Sequence, residues 1–387
     1  MSASFMPLLR VIVYLALAAS ALSARAGVLP EDRGDILWHQ YDGGGVTVDG
    51  PSILVRKKIG ESIDVNFTGD LDMVSSASID VMSAASPYKE KRKQWSPGVS
   101  YLRGKTTYGV SFLRSDEPDY LSDNASFSIS EDMFGDLTTV TLGFTRGWDD
   151  VKQHLVDKSH GTDSFLEKGR MDRRNYRIGL TQILTKKLIA TLNYESSAQD
   201  GYLQNPYRRV RYGAANSTSI SYQSEIYPGT RSSNAVGIDA SYYLPYRASV
   251  KLGYRYYTDT WGITAHTGDL QYLHPFGSRW TAEFGVRYYT QTHADFYSDL
   301  FPYIDAQNFM ARDRVLATYN DVAVHLGAEW KGPFGSSLKG RASIFYDRIQ
   351  YSYADFRNNL NTKLTPAQQP LYSYGANVFQ IQYSFQY

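Results

Sequence analysis

Polar and apolar residues alternate along most of this chain with a period of two. At the C-terminus Phe379, Ile381, Tyr383, Phe385 and Tyr387 fall on one side of an extended strand, and Gln380, Gln382, Ser384 and Gln386 on the other. Ile63, Val65, Phe67, Leu71 and Met73 oppose Asp64, Asn66, Thr68, Asp70 and Asp72 in the same way. The clearest series come later. Ala248, Val250, Leu252, Tyr254 and Tyr256 oppose Arg247, Ser249, Lys251, Gly253 and Arg255. Trp280 to Tyr288 oppose Arg279, Thr281, Glu283, Gly285 and Arg287, and Val322 to Trp330 oppose Asp321, Ala323, His325, Gly327 and Glu329. Each series predicts a strand with one greasy and one polar face.

Short turn signals separate many of these runs: Ile59–Ser62, Phe134–Asp136, Thr185–Lys186 and Leu244–Tyr246. Pro275-Phe276-Gly277-Ser278 recurs as Pro333-Phe334-Gly335-Ser336. Val74–Gln94, Asp149–Asp172 and Ser196–Gly229 read as long polar connections, so short turns and long loops alternate. That is the rhythm of an up-and-down sheet. The fold expected is all-β: a closed antiparallel transmembrane β-barrel. Its apolar face turns to lipid and its polar face to water. At roughly 22 residues per strand with its connection, the chain allows about 16 strands. Fourteen follow if Ile36–Lys58 is a plug.

The N-terminus changes the picture by giving an address. Arg10, the apolar run Val11–Leu22 and the small-residue site ending at Ala26 make a secretory signal peptide, cleaved after Ala26. The expected organisation is signal 1–26, an N-terminal segment 27–51 that is a first strand or a plug, and a barrel over 52–387. Losing residues 1–26 of 387 leaves 361, and the formal charge falls from +1 to −1 as Arg10 and Arg25 leave. Bulk charge therefore argues against a nucleic-acid partner. The chain has no Cys, so thiol chemistry is excluded. Tyr is abundant at 32, as aromatic girdles at two membrane interfaces require.

With aromatic faces outward, the candidate pore lining is Asp64, Asp70, Asp72, Arg247, Lys251, Arg255, Arg279, Glu283, Arg287, Asp321, His325 and Glu329. Such residues form either a selective charged constriction or a salt-bridge network closing the barrel. The seven His are scattered, and only His154 and His160 lie close together. No metal, cofactor or catalytic constellation is assigned. The Gly43–Gly45 run lacks the following helix and Lys of a phosphate-binding loop.

Several stretches carry a resemblance: Tyr41–Val46 running to Asp49-Gly50-Pro51, Asp72–Val81 with Ala85–Tyr88, Phe134–Val140, and Tyr254–Tyr257 to Trp261. Together they resemble an uncharacterised family of Gram-negative outer-membrane barrels, domain of unknown function 3570. The resemblance implies an outer-membrane pore or binding surface for a small solute. It also implies partners among outer-membrane lipid and lipopolysaccharide, and among flavin- or thioredoxin-related proteins of the periplasm. The terminal set Phe379, Ile381, Tyr383, Phe385 and Tyr387 resembles the closing-strand signal read by barrel-assembly machinery. The alternatives are an outer-membrane hydrolase working from the loops, and a structural partner of periplasmic proteins. The Val74–Tyr88 stretch is expected to fold into the barrel mouth or lumen as a constriction.

Overall fold

The computed structural model describes residues 28–76, 88–157, 162–334 and 338–387. Its strands are β1 (Arg33–Gly43), β2 (Val46–Ile59), β3 (Ile63–Ser76), β4 (Tyr88–Arg103), β5 (Thr106–Glu117), β6 (Tyr120–Met133), β7 (Thr138–Asp157), β8 (Thr162–Thr185) and β9 (Leu188–Gly201). They continue as β10 (Arg209–Tyr212), β11 (Ser221–Ser224), β12 (Thr230–Tyr243), β13 (Ser249–Asp259), β14 (Thr264–Phe276), β15 (Trp280–Gln291), β16 (Tyr319–Phe334), β17 (Leu338–Arg357) and β18 (Leu371–Gln386). Sixteen of them close into one antiparallel barrel, and β10 and β11 form a separate hairpin within the β9–β12 connection. The first strand pairs with the last, Gly34 opposite Phe385 and Trp38 opposite Ile381, so the aromatic C-terminal strand closes the seam. Residues 27–51 therefore contribute β1 and the start of β2, and the 51/52 division falls inside β2.

The start of β1, the end of β18 and the connections 60–62, 104–105, 134–137, 186–187, 244–248 and 277–279 lie at one end of the cylinder. The opposite end carries 202–229, 292–318 and 358–370, but also the short connections 44–45, 118–119 and 260–263. Strict alternation of short and long does not hold. The Gly44-Gly45 turn has φ of 59° and 77°. Positive φ at both central residues is the twist a two-residue hairpin needs, which explains the glycine run.

Two of the expected long connections hold strand where loop was expected. Lys91 and Lys93 pair with Met73 and Leu71, so the charged run enters β4 rather than tipping a loop. Likewise β7 and β8 pair out to Asp157 and Thr162, where Asp149–Asp172 had read as loop. The ladder there continues where both faces carry polar groups, and hydrophobic period two has nothing to register. Most of the proposed constriction, residues 77–87, lies outside the described residues, as do the signal segment and Ala26.

One parity of every strand is exposed and apolar, as with Val236, Ile238, Leu252, Tyr254, Phe284, Leu326 and Ile381. At its upper limit, towards the long loops, this band ends in a polar residue on each strand. The limit is Asn234 on β12, Thr258 on β13, Thr290 on β15, Asn320 on β16 and Asn377 on β18, but Lys93, Arg114, Arg146 and Arg174 on β4, β5, β7 and β8. Sixteen tilted strands enclose a cylinder about 30 Å across between backbones, wide enough for a polar lumen.

Candidate functional site: the lumen and its capped mouth

The inward parity carries the charge. Asp72 on β3 accepts from Arg92 Nε at 2.7 Å and lies 2.9 Å from His39 Nε2. His39 reaches across β2 at Gly50, its register partner, where any Cβ would strike the Leu71 carbonyl at 1.7 Å. Asp64 lies 3.6 Å from Arg56, and Asp70 accepts from Gln94 at 3.1 Å. Across the barrel Arg287 donates to Asp321 at 2.9 Å. His325 Nδ1 is 2.7 Å from Asp347 and its Nε2 is 3.8 Å from Glu283. Glu329 contacts Lys331 at 3.0 Å and Arg341 at 3.5 Å. Arg255 and Arg177 share Glu195, at 3.3 and 3.0 Å. Lys251 stands two residues below Gly253, which Asp239 and Asp269 flank in register. Arg247 and Arg279 do not join this wall. Both sit in turns at the short-turn end, and Arg247 adopts a φ of 70°. Two-residue periodicity was extended past the strand ends to include them.

Over β7–β9 exposure divides the lumen into two levels, whereas on β1–β3 Asp35 and Asp64 are buried even beside the short turns. Near the long loops the pairs are dry: the Arg92–Asp72 side chains are 9% and 0% exposed, and Arg173–Asp149 is equally enclosed. Lower down, Arg177 and Glu195 are 64% and 40% exposed. Buried pairs lose strongly when one partner is removed, whereas wet ones contribute little.

What dries the upper level is a cap made by the three long loops. Asp299 in 292–318 is its centre. It accepts from Arg211 of β10, from Arg312 Nε at 3.1 Å and from the Arg357 backbone N–H at 3.2 Å. Arg211 also donates to Gln369 of 358–370 at 2.5 Å, and Ile226 exchanges backbone hydrogen bonds with Met310. Towards β5–β8 the cap is tied by Tyr207, whose hydroxyl donates to Asp119 at 2.8 Å and accepts from the His154 N–H at 2.6 Å. Towards β1 and β18 it is seated by packing: Leu316, Ala317 and Phe296 join Tyr41, Val46, Val48, Ala376 and Val378 in the largest buried cluster. The loops therefore span the mouth from wall to wall.

One acid is sealed inside this cap. Glu225 accepts from the Arg312 N–H at 2.7 Å and from the Tyr227 hydroxyl at 2.8 Å. Burial, then the neighbouring Asp313 carboxylate, pushes its carboxyl up to about 7, against the pull of Arg208.

The tyrosines beneath the cap escaped sequence reasoning. Tyr289, Tyr319, Tyr351, Tyr353, Tyr372 and Tyr374 occupy inward positions and contact one another, with Tyr351 and Tyr374 stacked at 4.6 Å between centroids. Parity alone would have found them. Tyr372 and Tyr374 share the side of Gln380 and Gln382, not that of Phe379 and Ile381. A count of aromatic residues assigned to girdles hides that reversal.

The profile of the family described as "Protein of unknown function (DUF3570)" matches residues 14–351. The chain belongs to this family. The DUF3570 match takes in β1–β16, the cap loops 202–229 and 292–318 and most of β17, and ends before the third cap loop and β18. Among curated proteins no sequence relative matches. Solved structures similar to this chain include a bacterial polysaccharide outer membrane secretin, with TM-score 0.48, 7% identity, 93% of this chain and 100% of that chain covered. A loop-deleted OmpT, an outer membrane protein of Vibrio cholerae, has TM-score 0.44 and 8% identity over 92% of this chain and 98% of that one. The siderophore receptor PirA from Pseudomonas aeruginosa has TM-score 0.44 and 12% identity, with 92% of this chain and 66% of that chain covered.

Proposed function

We propose that this DUF3570 barrel lies in the outer membrane of a Gram-negative cell, exported through a cleaved signal peptide, and holds or passes a small polar solute through its lumen. The supporting observation is the two-level lumen: a wet, charged lower vessel beneath a mouth closed by packed loops. An internal salt-bridge network alone would gain nothing from staying hydrated. A vessel for a solute needs polar groups that water, and so a solute, can reach. Long loops face outward in bacterial barrels, so the vessel opens towards the periplasm. The proposed partners are outer-membrane lipid and the assembly machinery, the latter through β18. A link to flavin- or thioredoxin-related periplasmic proteins rests on the family resemblance, and pull-down through the short turns would test it.

Planar-bilayer recording tests the vessel. The native barrel should pass little current, and removing 300–309 from the cap loop should raise its unit conductance several-fold. A shortened variant that still migrates as a folded barrel but carries no current would overturn the reading.

A further inference from the structure

The outer wall carries a second feature, independent of the lumen. On β4, β5, β7 and β8 the apolar band is closed by Lys93, Arg114, Arg146 and Arg174, with Trp148 standing above Arg146 on β7 at 5.3 Å from its guanidinium. Register shows that they form one level. Lys93 pairs with Asp116, two residues beyond Arg114. Asp123, the partner of Arg114, pairs with Trp148, two beyond Arg146, and Arg146 pairs with Arg174. The row thus slips along the register as it passes round the barrel, which is the stagger that strand tilt imposes on any level line. Directly below it lie apolar and aromatic rings, Trp95 against Phe112 and Phe144 against Tyr176. The basic groups therefore stand where hydrocarbon gives way to headgroups.

Aspartates answer the row only in part. Arg114 and Arg146 meet Asp123 and Asp172 at 3.5 Å, in exposed pairs that give little. Lys93 and Arg174 make no ion pair with any described residue, although Asp116 is nearby. On the strands named above from β12 to β18 the same level is amide or hydroxyl, and the Arg348 that joins it on β17 hydrogen-bonds Asn377 at 3.0 Å. A one-sided basic arc at headgroup height is complementary to a lipid that presents fixed phosphates at that depth.

We propose that the β4–β8 face is a binding site for the phosphates of lipid A, the lipid anchor of lipopolysaccharide in the outer leaflet. Lys93 and Arg174 supply the unanswered charge, Arg114 and Arg146 the flanking donors, and the aromatic ring below seats the acyl chains. The site works whether or not the lumen conducts.

The test uses the full chain in detergent micelles, titrated with bisphosphoryl lipid A, with the same lipid A stripped of phosphate, and with phosphatidylglycerol. The double variant Lys93→Gln/Arg174→Gln orphans no buried partner, so the barrel should fold, as heat-modifiable migration will show. Each charge near an anionic surface contributes about fivefold, so the variant should bind bisphosphoryl lipid A at least about tenfold more weakly. Arg348→Gln should leave binding unchanged, and the native barrel should prefer the phosphorylated form. Equal affinity of native and double variant would overturn the site. Equal native affinity for phosphatidylglycerol and bisphosphoryl lipid A would overturn the assignment to lipid A.

Discussion

From β5 to β9 the inner wall below the cap is mostly hydroxyl, with Ser126 on Thr145 at 2.9 Å, Ser130 on Thr141 at 3.2 Å and Thr181 on Thr191 at 3.1 Å, and the exposed Arg177–Glu195 pair set among them. From β13 round to β3 the same level and the one above it carry Arg287–Asp321, His325–Asp347 and the His39–Asp72–Arg92 group. The outer rims are the reverse. The hydroxyl half bears the basic arc, and the charged half ends its apolar band mostly in Asn and Thr, its Arg348 being held by Asn377. The hydroxyl half carries charge on both faces, Arg173–Asp149 and Arg177–Glu195 inward and the arc outward, whereas the charged half keeps most of its charge inward. Where charge faces inward under the cap it is paired and dry, so it acts on stability. Where it faces the headgroups it is exposed and partly unanswered, so it acts on partners.

The sharpest way to break this contrast is Asp72→Asn. Arg92 would keep its charge in a dry site and lose its counter-ion, and the one amide oxygen left would have to serve both Arg92 and His39. Such a loss costs about 3–5 kcal/mol. Unfolding of the detergent-solubilised barrel in urea should shift accordingly. An unchanged midpoint would show that water already reaches Asp72 and that the upper level is not dry.

The cap bridges the halves, and pH should loosen it. Glu225 is ordinarily near 4.5 and is raised to about 7 in the folded cap. Its neutral form is the one the cap favours. Its contribution is therefore complete below about 4.5 and is lost as pH rises through about 7. The loss is on the order of 3 kcal/mol. Amide exchange in 202–229 and 292–318 should accelerate between pH 5 and 8, while exchange in β12–β16 holds steady after correction for intrinsic rate. Glu225→Gln keeps an acceptor for Tyr227 and Arg312 and should flatten the dependence. Persistence of the pH effect in that variant would assign it elsewhere, with Asp313 the next group to change.

How much of this was legible beforehand depends on what enforces it. Alternation in 280–288 and 322–330 gave strands and outward faces, because lipid on one side and water on the other write period two into the residues themselves. Closure of β1 on β18 was legible in Phe379–Tyr387 for the same reason. The cap was not. Arg211 meets Asp299 across 88 positions, and nothing periodic marks either residue. Its loops are rich in Tyr, Asn and Ser, which also describes loops that pack on nothing. Arg247 and Arg279 were misplaced because period two carries no mark of where a strand stops. The inward tyrosines lay between these cases, since their parity was visible and their abundance pointed the other way.

The smallest effect is expected on the hydroxyl wall, and it is the most informative about the contrast. Ser126 and Thr145 share a hydrogen bond of 2.9 Å at a half-buried site. A typical bond of this kind contributes about 1 kcal/mol net. Ser126→Ala leaves the Thr145 hydroxyl without that partner, but a hydrated lumen lets water replace it, so the cost should fall below about 1 kcal/mol. The urea midpoint should scarcely move, and lipid A binding through the arc on the opposite face of the same strands should be untouched. A loss approaching that of Asp72→Asn would mean that this wall is also dry. The hydroxyls would then be packing contacts, and the lower lumen no vessel.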